Sequence, residues 1–269
     1  MRLPTYFIPH GGGPCFFLKP EDLPPGMPKD TWHALEAYLR GIDAKVGRKP
    51  KAVLVITAHW MTERPTLGSA TDHHLLYDYF GFPDYTYQFK YPAKGAPKVA
   101  RRAAELLAST GIESTFDDKR GIDHGVFVPL LLIYPDADVP IVPMSLQQNL
   151  DAADHIAIGR ALAPLRDEDV LIIGSGMSFH NMRAIMAGTH NDEAASFDAW
   201  LSETATAAPD LRDPGLTQWN HAVGGRLAHP QEEHLIPLMV AAGAAEFDSG
   251  RKSFAGTLGG KRLSGFTFG

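Results

Sequence analysis

A chain of 269 residues with 44% hydrophobic and 10% aromatic content can bury a sizeable core, which excludes a disordered protein. Its formal charge of -6, with no block of Lys or Arg, excludes nucleic acid and an anionic membrane surface as partners. A single cysteine, Cys15, excludes an internal disulfide framework and a cysteine-based zinc cluster, and fits a reducing compartment.

The first strand is expected over residues 3–8, leading to His10 and the glycine-rich run Gly11-Gly12-Gly13-Pro14. That run matches neither GxxxxGK[ST] nor GxGxxG, so a phosphate cradle is set aside. A proline-rich loop spans Pro20 to Pro28. Helical spacing of Trp32, Leu35, Leu39 and Ile42 then predicts a helix over about residues 30–46, with Asp30 as its N-cap. Val53-Leu54-Val55-Ile56 reads as a strand buried on both faces, which completes a βαβ unit and delivers His59 to a sheet edge. The aromatic stretch from Leu76 to Tyr91 lacks a clean period and reads as a loop. It could wall a pocket for a flat ring, or form a satellite hydrophobic cluster.

Further helices are expected over 95–110 and 126–134, with a tight turn, Gly121 to Gly125, presenting His124. A short strand follows at Ile141 to Ser145, then a helix from Asp151 to Leu165. Val170-Leu171-Ile172-Ile173 is a third buried strand, leading through Gly174-Ser175-Gly176 to His180. A nucleophile elbow would need glycine at 177, where Met177 stands. Helices are expected over 193–206, 216–223 and Glu232 to Ala245, the last with Glu232, Glu233 and His234 in its first turn. There, the two glutamates could serve as a base or a carboxylate ligand, or supply favourable negative charge at a helix start. The tail from Phe254 to Phe268 has the content of an edge strand or hairpin, and it leaves a homo-oligomer open.

The pattern as a whole predicts an α/β fold: one domain, residues 1–269, with a central mostly parallel sheet flanked by helices. Its site lies at the carboxyl edge of the strands. No segment has the roughly 20 apolar residues of a membrane helix and no signal peptide is evident, so a cytoplasmic location is expected. Three strands ending in His10, His59 and His180 would bring imidazoles together, and imidazole suits Fe, Zn, Cu and Ni alike. His124, His229 and His234 are further candidates. His33, His73, His74, His155 and His190 fall in loops or on expected exposed faces.

Pro9-His10-Gly11-Gly12-Gly13-Pro14, Thr57-Ala58-His59-Trp60, Asp123-His124-Gly125, Phe179-His180-Asn181 and Glu233-His234-Leu235-Ile236-Pro237-Leu238 occur in that order. Together they resemble the class III extradiol ring-cleavage dioxygenases, of the 4,5-DOPA dioxygenase extradiol-like type, over nearly the whole chain. The resemblance implies an enzyme that opens a catechol ring with O2 at a non-haem metal. It implies His10, His59 and His234 as metal ligands, His180 as acid/base, and His124 as a hydrogen-bond partner of bound oxygen or of a substrate hydroxyl. His180 as a fourth ligand stays open. The protocatechuate branch of the class has a glutamate where this chain has His234, and three neutral imidazoles admit Fe(II) or Zn(II). Glu233 is expected to point away, since adjacent residues of a helix face different directions. Arg183 or Arg120 could anchor a carboxylated substrate. The rival readings are a zinc-dependent hydrolase and a Memo-like binding protein without catalysis on the same fold.

Overall fold

The buried apolar runs form the middle of one eight-stranded sheet in the computed structural model, which describes residues 2–269. Strand β1 (Thr5–Pro9) is followed by helices α1 (His33–Arg40) and α2 (Ile42–Val46), then by strand β2 (Ala52–Thr62). The single helix expected over 30–46 is therefore two. The chain breaks at Gly41, whose N–H closes on the carbonyls of Ala37 and Tyr38. Nor is Asp30 the cap: Trp32 holds that position, and the Asp30 carbonyl accepts from His33 N in a preceding turn.

Strand β3 (Thr66–Gly68), helix α3 (Pro97–Ser109), strand β4 (Thr115–Asp117) and helix α4 (His124–Ile133) come next. They lead to β5 (Ile141–Gln147), α5 (Ala152–Leu162) and β6 (Val170–Gly176). The Asp151 side chain accepts from Asp154 N at 2.9 Å and starts α5 as an N-cap. Helices α6 (Met182–Ala187), α7 (Asn191–Thr206), α8 (Pro209–Leu216) and α9 (Gly225–Ala228) precede α10 (Ile236–Ala245). In place of one short helix over 216–223 there is the end of α8 and a 3₁₀ turn at Trp219–His221. The tail is a hairpin, β7 (Gly250–Leu258) and β8 (Lys261–Phe268).

Strand order is β4-β3-β5-β2-β6-β1-β8-β7. The four central strands are parallel, and antiparallel pairings join β3 to β5, β8 to β1 and β7 to β8. Strand β6 lies between β2 and β1 in a register that levels their carboxyl ends: Thr57 faces Ser175, and Pro9 faces Gly176. Val53 to Ile56 are buried on both faces, each such side chain contributing about 1.5–3 kcal/mol. Helix α10 is buried along its whole length against α5 and β6. Among the described residues no helix is long and apolar enough to cross a membrane.

Candidate metal centre

Three of the five histidines follow from the level strand ends. His10 is the first residue past β1, and Gly11 beside it has φ of +83°, a left-handed turn that glycine takes without strain. Pairing of β2 with β5 skips from Ile56 to Met61, and this irregularity re-aims His59 toward the site. His124 opens α4, and His180 lies just beyond β6, its backbone N donating to Ala228 O at 3.0 Å. His234 arrives from another direction, in the turn before α10. Its carbonyl accepts from Met177 N at 2.9 Å, which fastens that turn to the end of β6.

The rings form one cluster. Centroids of His10 lie 4.9 Å from His59, 5.3 Å from His234 and 5.2 Å from His124. His59 is 4.1 Å from His124 and 4.9 Å from His234, and His180 stacks on His234 at 3.4 Å. One nitrogen from each of His10, His59 and His234 falls within 4.8 Å of the others. The Nε2 atoms of His10 and His59 are 3.3 Å apart. Two nitrogens sharing a tetrahedral ion at ordinary bond lengths sit roughly 3.3 Å apart. His234 Nε2 is buried without a hydrogen-bond partner, which is costly unless something takes its lone pair. Burial, then the neighbouring imidazoles, holds His10 and His234 well below the ordinary histidine pKa. Burial followed by His124 lowers His59 to about 3. All three are neutral, the form that ligates metal.

Two carboxylates border the cluster. Asp78 accepts from His124 Nδ1 at 2.8 Å and lies 3.5 Å from His59 Nδ1. Glu233 accepts from His234 Nδ1 at 2.8 Å and lies 3.5 Å from His180 Nδ1. Glu233 thus points into the site, against the expectation that it faces away. The helix begins at Ile236, so 233 and 234 occupy a turn in which neighbours converge.

The chain matches the family model described as the catalytic LigB subunit of aromatic ring-opening dioxygenase over residues 4–260. The chain belongs to the LigB family. Similar relatives include a protein of Beta vulgaris named 4,5-DOPA dioxygenase extradiol, 42% identical over 90% of this chain and 86% of that one. One of the same name from Escherichia coli K12 is 34% identical over 90% and 85%. Dioxygenase tasH of Hapsidospora irregularis is 42% identical over 90% and 78%. Among solved structures, an uncharacterized Escherichia coli K12 protein, JW3007, superposes with a TM-score of 0.77 at 29% identity, covering 100% of both chains. These agree with the motif resemblance: the chain is an oxidoreductase of the ring-opening dioxygenase class, a family that implies a non-haem metal, and its histidine cluster has the make-up to hold one.

In this LigB-family chain the remaining candidates have other work. His229 is buried outside the cluster, its Nε2 donating to Ser178 O at 3.1 Å. His155 is buried rather than exposed: Nδ1 donates to Asp151 O and Nε2 accepts from Gln147 N, tying α5 to β5. His73 is half-buried, its Nε2 3.1 Å from Ile141 O. Arg120 bonds His59 O, pairs with Asp123 and stacks on Trp60, so it braces the His59 segment. The loop aromatics pack on one another and on Phe127, with the Tyr77 and Tyr79 hydroxyls donating to loop carbonyls. They pack onto the main hydrophobic core instead of forming a separate cluster, and the Tyr79 ring lies 5.9 Å from that of His124. An open groove of about 670 Å³ lies beside His180 and Glu233, bordered also by Arg183 and Asn181.

Proposed function

We propose that residues 1–269 form one catalytic domain, an extradiol dioxygenase that opens a catechol-type ring with O2. In this reading His10, His59 and His234 hold a non-haem ion, Fe(II) by preference over Zn(II). The observation that carries it is the convergence of three neutral imidazoles, His10 and His234 buried and His59 half-buried, two with Nε2 atoms 3.3 Å apart. When bound, the ion supplies the chemistry that brings catechol and O2 together. The protein's own part is positioning and proton handling. His180 is the acid/base: its side chain is 28% exposed and borders the groove while its ring stacks on His234, so it can pass protons between solvent and centre. His124 is nearly buried and its Nδ1 is engaged by Asp78, which leaves Nε2 to bond oxygen or a substrate hydroxyl. For a carboxylated catechol, Arg183 on the groove is the better anchor, since Arg120 is committed to the His59 backbone. The names of the relatives support a catechol substrate.

Oxygen consumption tests this directly. Anaerobically purified protein is loaded with Fe(II), or separately with Zn(II), and given a panel of catechols. Iron-dependent uptake with a yellow ring-opened product is the expected result. Protein that holds metal yet consumes no oxygen with any catechol would redirect the assignment to hydrolysis or to binding without catalysis. His59→Ala should lose metal and turnover together, while His180→Ala should keep most of the metal and lose turnover. Equal loss of metal in both would make His180 a ligand.

A further inference from the structure

Three neutral ligands bring no negative charge to a divalent ion, yet two carboxylates stand directly behind them. Asp78 and Glu233 occupy matching places on either side of the cluster. Oδ1 of Asp78 accepts from both the backbone N of His124 at 2.9 Å and its Nδ1 at 2.8 Å, and Oδ2 lies 3.5 Å from His59 Nδ1. Oε1 of Glu233 accepts from His234 Nδ1 at 2.8 Å and lies 3.5 Å from His180 Nδ1. Each carboxylate therefore faces one proposed ligand and one proposed catalytic histidine, and each time the atom it faces is Nδ1.

The chemistry of that contact is restrictive. An ionised carboxylate can only accept, so an Nδ1 bonded to it carries the hydrogen, and the neutral ring then keeps its lone pair on Nε2. The inner side of the cluster agrees. His59 Nε2 faces His10 Nε2, and His234 Nε2 is buried with no other partner.

We propose that Asp78 and Glu233 are positioning residues that hold these imidazoles in the Nδ1–H tautomer with Nε2 turned inward. Glu233 further returns, one bond behind His234, the negative charge that an all-histidine ligand set omits. This rests on the metal-centre reading above. The distances assign the two carboxylates different weights. Glu233 has its short bond on a ligand, so its loss acts first on metal affinity. Asp78 has its short bond on His124, so its loss acts first on turnover.

The test uses the full chain. Zn(II) and Fe(II) affinities are measured by competition with a chromophoric chelator for the parent protein, Glu233→Gln, Glu233→Ala and Asp78→Asn. Imidazole tautomers are read by nitrogen NMR on metal-free protein, with signals assigned through His180→Ala and His234→Ala. Glu233→Ala should weaken metal binding by about 10–100-fold. Glu233→Gln, which keeps an acceptor oxygen but drops the charge, should fall between, and it decides the matter should the alanine variant fail to fold. Asp78→Asn should retain metal far better and lose kcat. The parent should show His234 and His180 as Nδ1–H tautomers, and Glu233→Ala a mixture. Parent-like affinity in both Glu233 variants, or tautomers unmoved by them, overturns the proposal. A parent protein that binds neither ion sinks the metal reading instead, and the tautomer measurement still decides what the carboxylates do.

Discussion

The last residue of β6 is a glycine because the His234 carbonyl passes over it: a methyl group at Gly176 would sit 2.1 Å from that oxygen. The same carbonyl takes the N–H of Met177, so strand end and ligand turn are a single unit. Gly176→Ala must push His234 off its place, at a cost of about 1–3 kcal/mol in stability together with weakened metal binding. Thermal melts and chelator competition check this, with Gly12→Ala as control, since nothing lies within 4 Å of a side chain there. Identical behaviour of the two variants would contradict it. The histidines were legible because apolar runs and glycine turns flag strand ends. Asp78 gave no such signal, lying in an aromatic loop without period. Glu233 was hidden by a helix read as starting at 232, four residues before its first turn at Ile236. His155 reads as exposed because a lone polar residue on a helix does not reveal that its side of the helix packs back onto β5.

Helix α10 runs straight on from the His234 turn, and its far end is held by two buried arginines. Arg212, fully buried, donates to the carbonyls of Ala242, Glu246 and Asp248 and pairs with Asp213. Arg166 donates to Ala244 O and Leu3 O and pairs with Asp248. Cations there meet the carbonyls that a helix terminus leaves unpaired. Arg212→Met would leave Asp213 to its pair with Arg160 but unpair the buried carbonyls, at a cost of about 1–3 kcal/mol. A denaturant midpoint equal to that of the parent would show that the capping carries no weight. Both arginines look like surface residues in a sequence, because nothing local marks a charge whose partners are carbonyls dozens of residues away. Strands β3 and β4 escaped notice for a different reason, being three residues each and set by pairing, not by pattern. The long apolar runs of β1, β2 and β6 were plain for the opposite reason: burial on both faces leaves no polar residues to dilute them.

Across the whole molecule, the buried and half-buried histidines set the response to acid. His10, His59, His229 and His234 all have folded pKa values below the ordinary one, first through burial. The unfolded chain therefore binds more protons than the folded one as pH drops from about 6.5 toward 3, and stability falls with pH through that window. Each such histidine weakens folding roughly tenfold per pH unit there. Metal-free protein should melt at the same temperature at pH 7 and pH 8, and markedly lower at pH 5. Depressed carboxylates such as Asp78 and Asp117 add their losses only near pH 4 and below. A Tm unchanged between pH 7 and pH 5 would mean that these rings are not kept neutral by the fold.

The strand order also fixes when the centre can exist. Strand β1 draws one neighbour, β6, from beyond the middle of the chain and the other, β8, from its far end. At about 5–20 residues per second of synthesis, roughly 10–35 s separate the emergence of His59 from that of His234. Through that interval a nascent chain offers two of the three imidazoles, with β1 still lacking its β8 neighbour. The three-imidazole arrangement is therefore complete only after His234 has been made and the turn before α10 has docked on the end of β6.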